Sequence, residues 1–339
     1  MRQTGFALLI ILLLGLTRCG EGLDANRNGS ANDSALIRLE NLNKLISKDA
    51  SNPELYNLRA KYFIETNQVD LALKDINKSI SLDPKNPGFY ITLSDIYLLM
   101  GQPANCKENL SKAISIDPEG QEALLKMAKL LLIMKEYPGC YEYIRQLLLV
   151  DKSNHQAYYT RAIALLEQGD TNRAVADLMQ AVNQNQDYYD AYVQLGELFA
   201  LRKDPKAASY LKNALNIRPQ SKEALYMLGM FYQETGQYQN AIDIYQNLSR
   251  VDTTIRSSPY NMGYIYLVYL RDFPSAVKMF SEAINRDSAY YEAFFNRGYA
   301  YELSGDYKRA YDDYQESLRI KVNYEKAVAG LNRLDKLRK

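Results

Sequence analysis

Residues 53–86 read PELYNLRAKYFIETNQVDLALKDINKSISLDPKN. Within them, Tyr56, Ala60 and Phe63 are spaced by four and three residues, so their side chains share one face of a helix. A short polar turn follows at residues 67–68, and a second apolar pattern with helical spacing begins after it. The stretch therefore predicts a helix, a tight turn and a second helix.

Small residues recur along the chain with a period of about 34 residues. In the second helix of each predicted pair they are Ala72, Cys106, Cys140, Ala174, Ala207, Ala241, Ala276 and Ala310. In the first helix they are Ala60, Ser94, Ala128, Ala162, Gly196, Gly229, Gly263 and Gly298. Two such sets in phase are typical of a stacked helical array, because neighbouring helices must approach closely twice in every repeat. The sequence therefore predicts an all-α solenoid.

The pattern resembles the tetratricopeptide repeat family over residues 53–322. The residues that carry the resemblance include the aromatic starts Tyr90, Tyr158, Tyr192 and Phe294 and the terminal Asp117-Pro118. The resemblance implies a right-handed α-solenoid of helix-turn-helix repeats. Eight repeats are expected, beginning near residues 53, 87, 121, 155, 189, 222, 256 and 291. A half-repeat helix is expected at residues 35–52, and a capping helix at residues 323–339.

Four of the small residues in first helices are glycines, which cost about 0.5–1 kcal/mol each relative to alanine in mid-helix. We expect each glycine to admit a bulky side chain of a second helix. The candidate side chains are Leu178, Leu211, Tyr245, Phe280 and Tyr314. Two steps of the period are irregular: a shortened turn is expected at residues 203–205 and one extra residue around residues 257–259.

Residues 1–18 are typical of a signal peptide. Arg2 precedes an apolar run at residues 6–16, which as a helix would reach about 16 Å. This is well short of the ~30 Å hydrocarbon core of a bilayer, so the run favours an export signal over a spanning helix. Residues 19–34 are polar and are expected to form a flexible tether.

Residues 16–19, Leu-Thr-Arg-Cys, resemble the lipobox of bacterial lipoproteins, in which the cysteine becomes lipid-modified. Arg18 departs from that pattern, which has a small residue before the cysteine. The resemblance implies lipid attachment at Cys19 and hence a membrane partner. Ordinary signal cleavage without a lipid is the alternative.

The composition of the chain limits the kinds of binding and catalytic site that it can form. The 339 residues carry a net charge of +1, a single histidine and three cysteines, so we expect no nucleic-acid partner, no metal site and no cofactor. No catalytic motif is present, which predicts a protein that is not an enzyme. Cys106 and Cys140 are expected to be buried free thiols rather than a disulfide. Acidic pairs such as Asp312-Asp313 are interpreted as solvated helix faces.

In the family, first helices line the concave face of the solenoid, and the resemblance implies a partner groove there. Its apolar and tyrosine side chains predict capture of a polypeptide. They are Leu98, Leu99, Leu125, Leu132, Ile133, Tyr159, Ile163, Leu166, Tyr226, Tyr260, Tyr264, Phe295 and Tyr299. Some of these residues would instead pack between repeats. A carboxylate-binding subtype of the family has Lys, Arg or Asn at the positions that Ile91, Asp95 and Leu125 occupy here. This difference argues against binding of a C-terminal carboxylate.

The leading hypothesis is a non-enzymatic scaffold of a bacterial cell envelope that holds partner polypeptides in this groove. It resembles repeat lipoproteins of the outer membrane, facing the periplasm or the cell surface. A soluble periplasmic adaptor without a lipid anchor is the second hypothesis. A glycan-binding protein that uses the tyrosines as a stacking platform is the third.

Overall fold

The computed structural model describes residues 27–337, which are all-α. They fall into two compact units, one ending at Gln184 and the other beginning at Asn185. The helices of unit 1 are α1 (Arg27–Lys48), α2 (Pro53–Glu65), α3 (Val69–Leu82), α4 (Pro87–Leu99), α5 (Pro103–Ile116), α6 (Gln121–Ile133), α7 (Tyr137–Val150), α8 (His155–Glu167) and α9 (Thr171–Gln184).

Unit 2 has the same alternation of first and second helices. They are α10 (Tyr189–Leu201), α11 (Lys206–Ile217), α12 (Lys222–Glu234), α13 (Tyr238–Val251), α14 (Ser257–Tyr264), α15 (Phe273–Arg286), α16 (Tyr291–Leu303), α17 (Tyr307–Ile320) and α18 (Glu325–Leu337). A π-helical stretch, Ile265–Leu270, continues α14. In each unit successive helix pairs pack side by side, which confirms the predicted solenoid of repeats.

The turn inside every repeat has the same backbone conformation. Each contains one residue with positive φ, and these are Asn67, Gly101, Lys135, Gly169, Lys203, Gly236, Arg271 and Gly305. Their side chains range from none to the long chain of Arg271, so the conformation is imposed by the repeat and not by glycine alone.

The prediction for the mid-helix glycines is confirmed. A methyl group added to Gly229 would lie 2.6 Å from Cε1 of Tyr245, whose side chain is fully buried. The equivalent pairs are Gly196 with Leu211, Gly263 with Phe280, and Gly298 with Tyr314. Gly330 of the last helix also faces Tyr314, at 2.6 Å. An added methyl group would lie closer than 3.0 Å to the facing side chain at Gly196, Gly229, Gly263 and Gly330, and 3.1 Å from it at Gly298.

The extra residue of repeat 7 is not around residues 257–259, as the sequence suggested. It is absorbed later in the same first helix, where the backbone widens into the π-helical stretch Ile265–Leu270. The 8 residues of α14 and the 6 of this stretch make the helix one residue longer than the 13 of α12. A π turn accommodates an insertion without shifting the residues on either side of it. The turn at residues 203–205 is not shortened, as the sequence suggested. Four residues, 202–205, separate α10 from α11, whereas three separate α12 from α13, and the shortening falls instead in α11, which has 12 residues against 14 in α13.

The first helix begins at Arg27, inside the segment predicted to be a flexible tether. The expectation for residues 19–34 is therefore wrong from residue 27 onward. Polar residues lower helix propensity only slightly, and residues 27–34 contain no proline that would stop a helix growing back from residue 35. The predicted signal peptide at residues 1–18 and Cys19 lie outside the described residues.

Three repeats contain an ion pair that ties their two helices together. In repeat 8, Arg297 Nε and Nη2 donate to the two carboxylate oxygens of Asp313 at 2.8 and 2.7 Å. Arg59 binds Asp75 and Arg161 binds Asp177 in the same two-pronged way. The Asp313 side chain is only 8% exposed, so its interpretation as part of a solvated face is wrong. Burial raises the pKa of Asp313 even beside this guanidinium.

Candidate polypeptide-binding surfaces

Three residues of the predicted groove are buried. Leu132, Ile163 and Tyr159 are 1%, 4% and 8% exposed, so they belong to the core of unit 1 and offer no surface to a partner. They follow the same helical spacing as their neighbours, but adjacent repeats cover them. Their assignment to the groove is therefore corrected. The other predicted residues are half-buried or exposed, and they fall into one group in each unit.

In unit 1 a cavity of about 300 Å³ opens beside the first helices of repeats 2, 3 and 4. Its apolar wall is formed by Leu98, Cys106, Leu110, Leu125, Leu130 and Ile133. Its polar wall is formed by Ser94, Asp95, Glu122, Lys126, Lys129 and Gln156. Three predicted groove residues, Leu98, Leu125 and Ile133, thus line one cavity, and Leu99 and Leu166 lie outside it.

The polar wall is held in place by a short ion pair between two first helices. Lys126 Nζ donates to Asp95 Oδ1 at 2.6 Å and to Oδ2 at 2.8 Å, and Glu122 Oε1 lies 3.7 Å from the same nitrogen. Burial raises the pKa of Asp95, although the positive charges of Lys126 and Lys61 act in the opposite direction. The cavity therefore combines an apolar base with fixed charges of both signs, a chemistry that suits an amphipathic segment of polypeptide.

Cys106 in this wall is a free, buried thiol, as is Cys140, which confirms that prediction. Burial raises the pKa of Cys106 to about 11 and that of Cys140 to about 12. Both stay protonated near neutral pH, so they act as small apolar side chains and not as nucleophiles or metal ligands.

In unit 2 the equivalent positions carry aromatic side chains. Tyr226 is exposed, and Tyr260, Tyr264, Phe295 and Tyr299 are half-buried. The hydroxyl of Tyr260 accepts a hydrogen bond from Asn296 Nδ2 at 2.8 Å, and burial raises the pKa of that hydroxyl. Tyr260 is therefore partly engaged between repeats 7 and 8.

The side chain of Phe295 also packs against other aromatic rings. Its ring lies 6.3 Å from that of Tyr299 and 5.6 Å from that of Tyr314, measured between centroids. These contacts hold the rings of Phe295 and Tyr299 in repeat 8. We call Tyr226, Tyr260, Tyr264, Phe295 and Tyr299 the aromatic row.

A further apolar surface was missed by the sequence reasoning. It lies at the turns between the two helices of repeats in unit 2, and we call it the turn edge. Its exposed members are Leu201, Val268, Tyr269, Leu270, Leu303 and Tyr307. The signal was present in the sequence as three successive apolar residues, Val268 to Leu270, at a helix end where each of the other three repeats of unit 2 carries a charged residue.

None of the helices in residues 27–337 combines the length and the apolar composition needed to cross a bilayer. In the same residues, no three His, Cys, Asp or Glu side chains are grouped as metal ligands.

Family models for the tetratricopeptide repeat match residues 53–86, 87–119, 159–212, 223–250 and 265–325. The chain is a tetratricopeptide repeat protein. Such proteins generally bind protein or peptide partners, and the fold is generally a non-enzymatic scaffold. Among curated proteins, none matches this tetratricopeptide repeat protein in sequence.

Solved structures resemble it at low identity. The C-terminal part of a tetratricopeptide repeat-containing protein from Cytophaga hutchinsonii is 16% identical with a TM-score of 0.51, and the match covers 80% of this chain and 98% of that chain. A tetratricopeptide repeat protein from Parabacteroides merdae ATCC 43184 is 15% identical with a TM-score of 0.46, over 73% and 98% of the two chains. YrrB, described as a tetratricopeptide repeat protein with an unusual peptide-binding site, is 20% identical with a TM-score of 0.40, over 55% and 96%. The likeness to the Cytophaga structure supports the fold.

Proposed function

We propose that this protein holds a partner polypeptide against its first helices, as a non-enzymatic scaffold of a bacterial cell envelope. The observation that carries the proposal is the cavity of unit 1, about 300 Å³ in volume. Leu98 and Leu125 form part of its apolar wall, and Asp95 and Lys126 form an ion pair in its polar wall. An apolar side chain of the partner would contact the apolar wall, while polar groups of its backbone meet the charges.

The aromatic row of unit 2 supplies a second contact of the same kind. Tyr226 is exposed, and Tyr264 and Tyr299 are half-buried, and tyrosine is enriched at protein interfaces. The apolar wall of the cavity and the tyrosines of the aromatic row each suit apolar side chains of a polypeptide. The partner is therefore proposed to be an extended or helical segment and not a single terminal carboxylate.

The groove is tested by protein capture from intact envelopes with two double variants. Leu98→Glu/Leu125→Glu places charges in the cavity, and we expect at least about a tenfold loss of captured protein because buried apolar contacts dominate binding energy. Leu71→Glu/Leu149→Glu, at exposed leucines of second helices in unit 1, is the matched control. Thermal melts check that both variants are folded. Equal capture by both variants would show that the cavity is not the binding site.

We also propose that the protein is tethered to a membrane through a lipid on Cys19. The signal-like residues 1–18 and the lipobox resemblance at residues 16–19 support this. Mass spectrometry of the mature N-terminus is expected to give a diacylglyceryl cysteine, and Cys19→Ser is expected to release the protein to the soluble fraction. An unmodified start beyond residue 19 would instead identify a soluble adaptor.

A further inference from the structure

A second cavity of unit 1, about 460 Å³ in volume, lies between repeats 3 and 4 on helices α7, α8 and α9. Among the described residues, its lining contains three arginines, Arg145, Arg161 and Arg173, and one carboxylate, Asp177. We call it the arginine cavity. It shares no lining residue with the cavity beside the first helices that carries the proposed function. Binding in the arginine cavity would therefore be independent of the groove.

The arginine cavity interrupts a hydrogen-bond pattern that other repeats keep. In repeat 1, Nη1 of Arg59 donates to Asn43 Oδ1 at 2.7 Å, and in repeat 8, Nη1 of Arg297 donates to Ser281 Oγ at 3.0 Å. Both acceptors lie 16 residues before the arginine. In repeat 4 that position is Arg145, so a cation stands where repeats 1 and 8 have a neutral acceptor.

The arginines of this cavity consequently carry N–H groups without acceptors. Among residues 27–337, Nη1 of Arg161 has no acceptor, and neither has Nη1 of Arg145 or either terminal nitrogen of Arg173. The two carboxylate oxygens of Asp177 already accept from Nε and Nη2 of Arg161, each at 2.7 Å. An apolar occupant would leave these donors unpaired, which is costly, and a cation would be repelled by them.

Two more acids lie near the arginines but outside the lining of the cavity. Glu142 binds Arg145, and Asp170 binds Arg173, each pair being three residues apart in sequence. The side chains of Arg145 and Arg173 are 61% and 75% exposed, and exposed pairs of this kind contribute little to stability. Asp170 also accepts the backbone N–H of Arg173 at the start of α9. Both arginines can therefore turn to a ligand at small cost.

The rest of the lining adds a hydroxyl donor and an apolar surface. The oxygen of Tyr141 accepts a hydrogen bond from Gln168 Nε2 at 2.6 Å. Burial raises the pKa of Tyr141, so its hydroxyl stays protonated near neutral pH and can donate to a ligand. Leu165 and Ala176 supply the apolar part. A ligand must thus offer several acceptors on one group to donors carried by three helices.

A phosphoryl group has these properties. It carries a charge of about −1.5 to −2 near pH 7 and three terminal oxygens, and its geometry matches the fork of N–H groups of a guanidinium. A carboxylate, with a single charge and two oxygens, would leave part of the donors unpaired. We propose that the arginine cavity binds a phosphoryl group through Arg145, Arg161 and Arg173. A small phosphate monoester and free phosphate both carry this group, and the cavity volume is in the range of small-molecule sites.

Repeat 1 supplies substitutions that should preserve the fold. Arg145→Asn copies Asn43, so the variant removes one phosphate contact while giving Nη1 of Arg161 a neutral acceptor. Arg173→Leu copies Leu71, which occupies the equivalent position.

Repeat 8 supplies the matched control, Arg309→Leu. Arg309 occupies the position equivalent to Arg173, and it also binds an aspartate three residues earlier, Asp306. The control therefore makes the same change of charge away from the arginine cavity.

Isothermal titration calorimetry of the full chain tests the proposal, with glycerol 3-phosphate, inorganic phosphate and succinate compared near pH 7 at equal ionic strength. We expect one glycerol 3-phosphate per chain, bound at least about tenfold more tightly than succinate. Arg145→Asn and Arg173→Leu should each weaken this binding about tenfold or more, since each removes a charge-assisted contact. Arg309→Leu should leave it unchanged. Thermal melts without ligand check that all three variants are folded.

The same titrations identify the source of the group. Inorganic phosphate that binds as tightly as glycerol 3-phosphate would identify free phosphate as the ligand, and tighter binding of the ester would identify a monoester. Succinate binding as tight as that of the phosphates would overturn the proposal, and so would no phosphate binding at millimolar concentration. Unchanged affinity in Arg145→Asn and Arg173→Leu, or an equal loss in Arg309→Leu, would also overturn it.

Discussion

Arg297→Met is expected to lower the free energy of unfolding by about 3–5 kcal/mol, because it leaves the carboxylate of Asp313 buried without its partner. Chemical denaturation at pH 7 measures the loss. The sign of its pH dependence follows from the raised pKa of Asp313. A carboxyl group whose pKa is higher in the folded protein favours folding most when it is protonated, and this contribution is lost as the pH rises through the folded-state pKa. The loss should therefore be smaller in acid than at pH 7.

The chain provides its own control for this prediction. In repeat 7, Met262 and Met279 occupy the positions that Arg297 and Asp313 occupy in repeat 8. The double variant Arg297→Met/Asp313→Met copies that arrangement, and we expect its stability to stay within about 1–2 kcal/mol of the natural protein. A double variant as unstable as Arg297→Met alone would contradict the argument that the unpaired charge causes the loss.

Gly229→Ala is expected to destabilise the protein by about 1–3 kcal/mol. Alanine alone would favour this helix by about 1 kcal/mol over glycine, so steric conflict must exceed that gain. The conflict is direct, since the new methyl group would lie 2.6 Å from the ring of Tyr245, which is fully buried. The change in the midpoint of denaturation gives the sign.

A second substitution tests whether Tyr245 is the cause. Repeat 4 pairs Ala162 with Leu178 at the positions where repeat 6 pairs Gly229 with Tyr245. The variant Gly229→Ala/Tyr245→Leu reproduces that combination, and the two changes should couple favourably by about 1 kcal/mol or more. Strictly additive effects would show that Gly229 and Tyr245 do not share the space assigned to them.

The helix pairs and the glycine contacts could be predicted from the sequence because backbone approach requires small residues at fixed intervals. The position of the π turn was also readable. The step from Gly229 to Gly263 is 34 residues, whereas that from Ala241 to Ala276 is 35, so the insertion lies after Gly263. The ion pairs left a comparable signal, an arginine and an aspartate 16 residues apart in three repeats.

Exposure in the candidate site could not be predicted in the same way. Leu98 and Leu132 each lie three residues before the positive-φ residue of their turn, yet Leu98 lines the cavity and Leu132 is buried. The period fixes which helix face a residue occupies, but burial depends on how neighbouring side chains of different size cover it. The sequence shows that Tyr260 and Phe295 are aromatic, but it does not show their contacts, which join Tyr260 to Asn296 of the next repeat and Phe295 to Tyr314 of its own repeat.

Each mid-helix glycine from Gly196 to Gly298 and the large side chain above it belong to the same repeat. A gene segment that encodes one repeat therefore encodes both the glycine and the large side chain that packs on it. Duplication or deletion of that segment leaves the glycine contacts of the other repeats intact. After duplication, the two residues of a pair could change in size, provided that they change together. Gly330 is different, because it faces Tyr314 of the preceding repeat. The gene segments that encode the last repeat and the final helix would therefore have to be duplicated or deleted together.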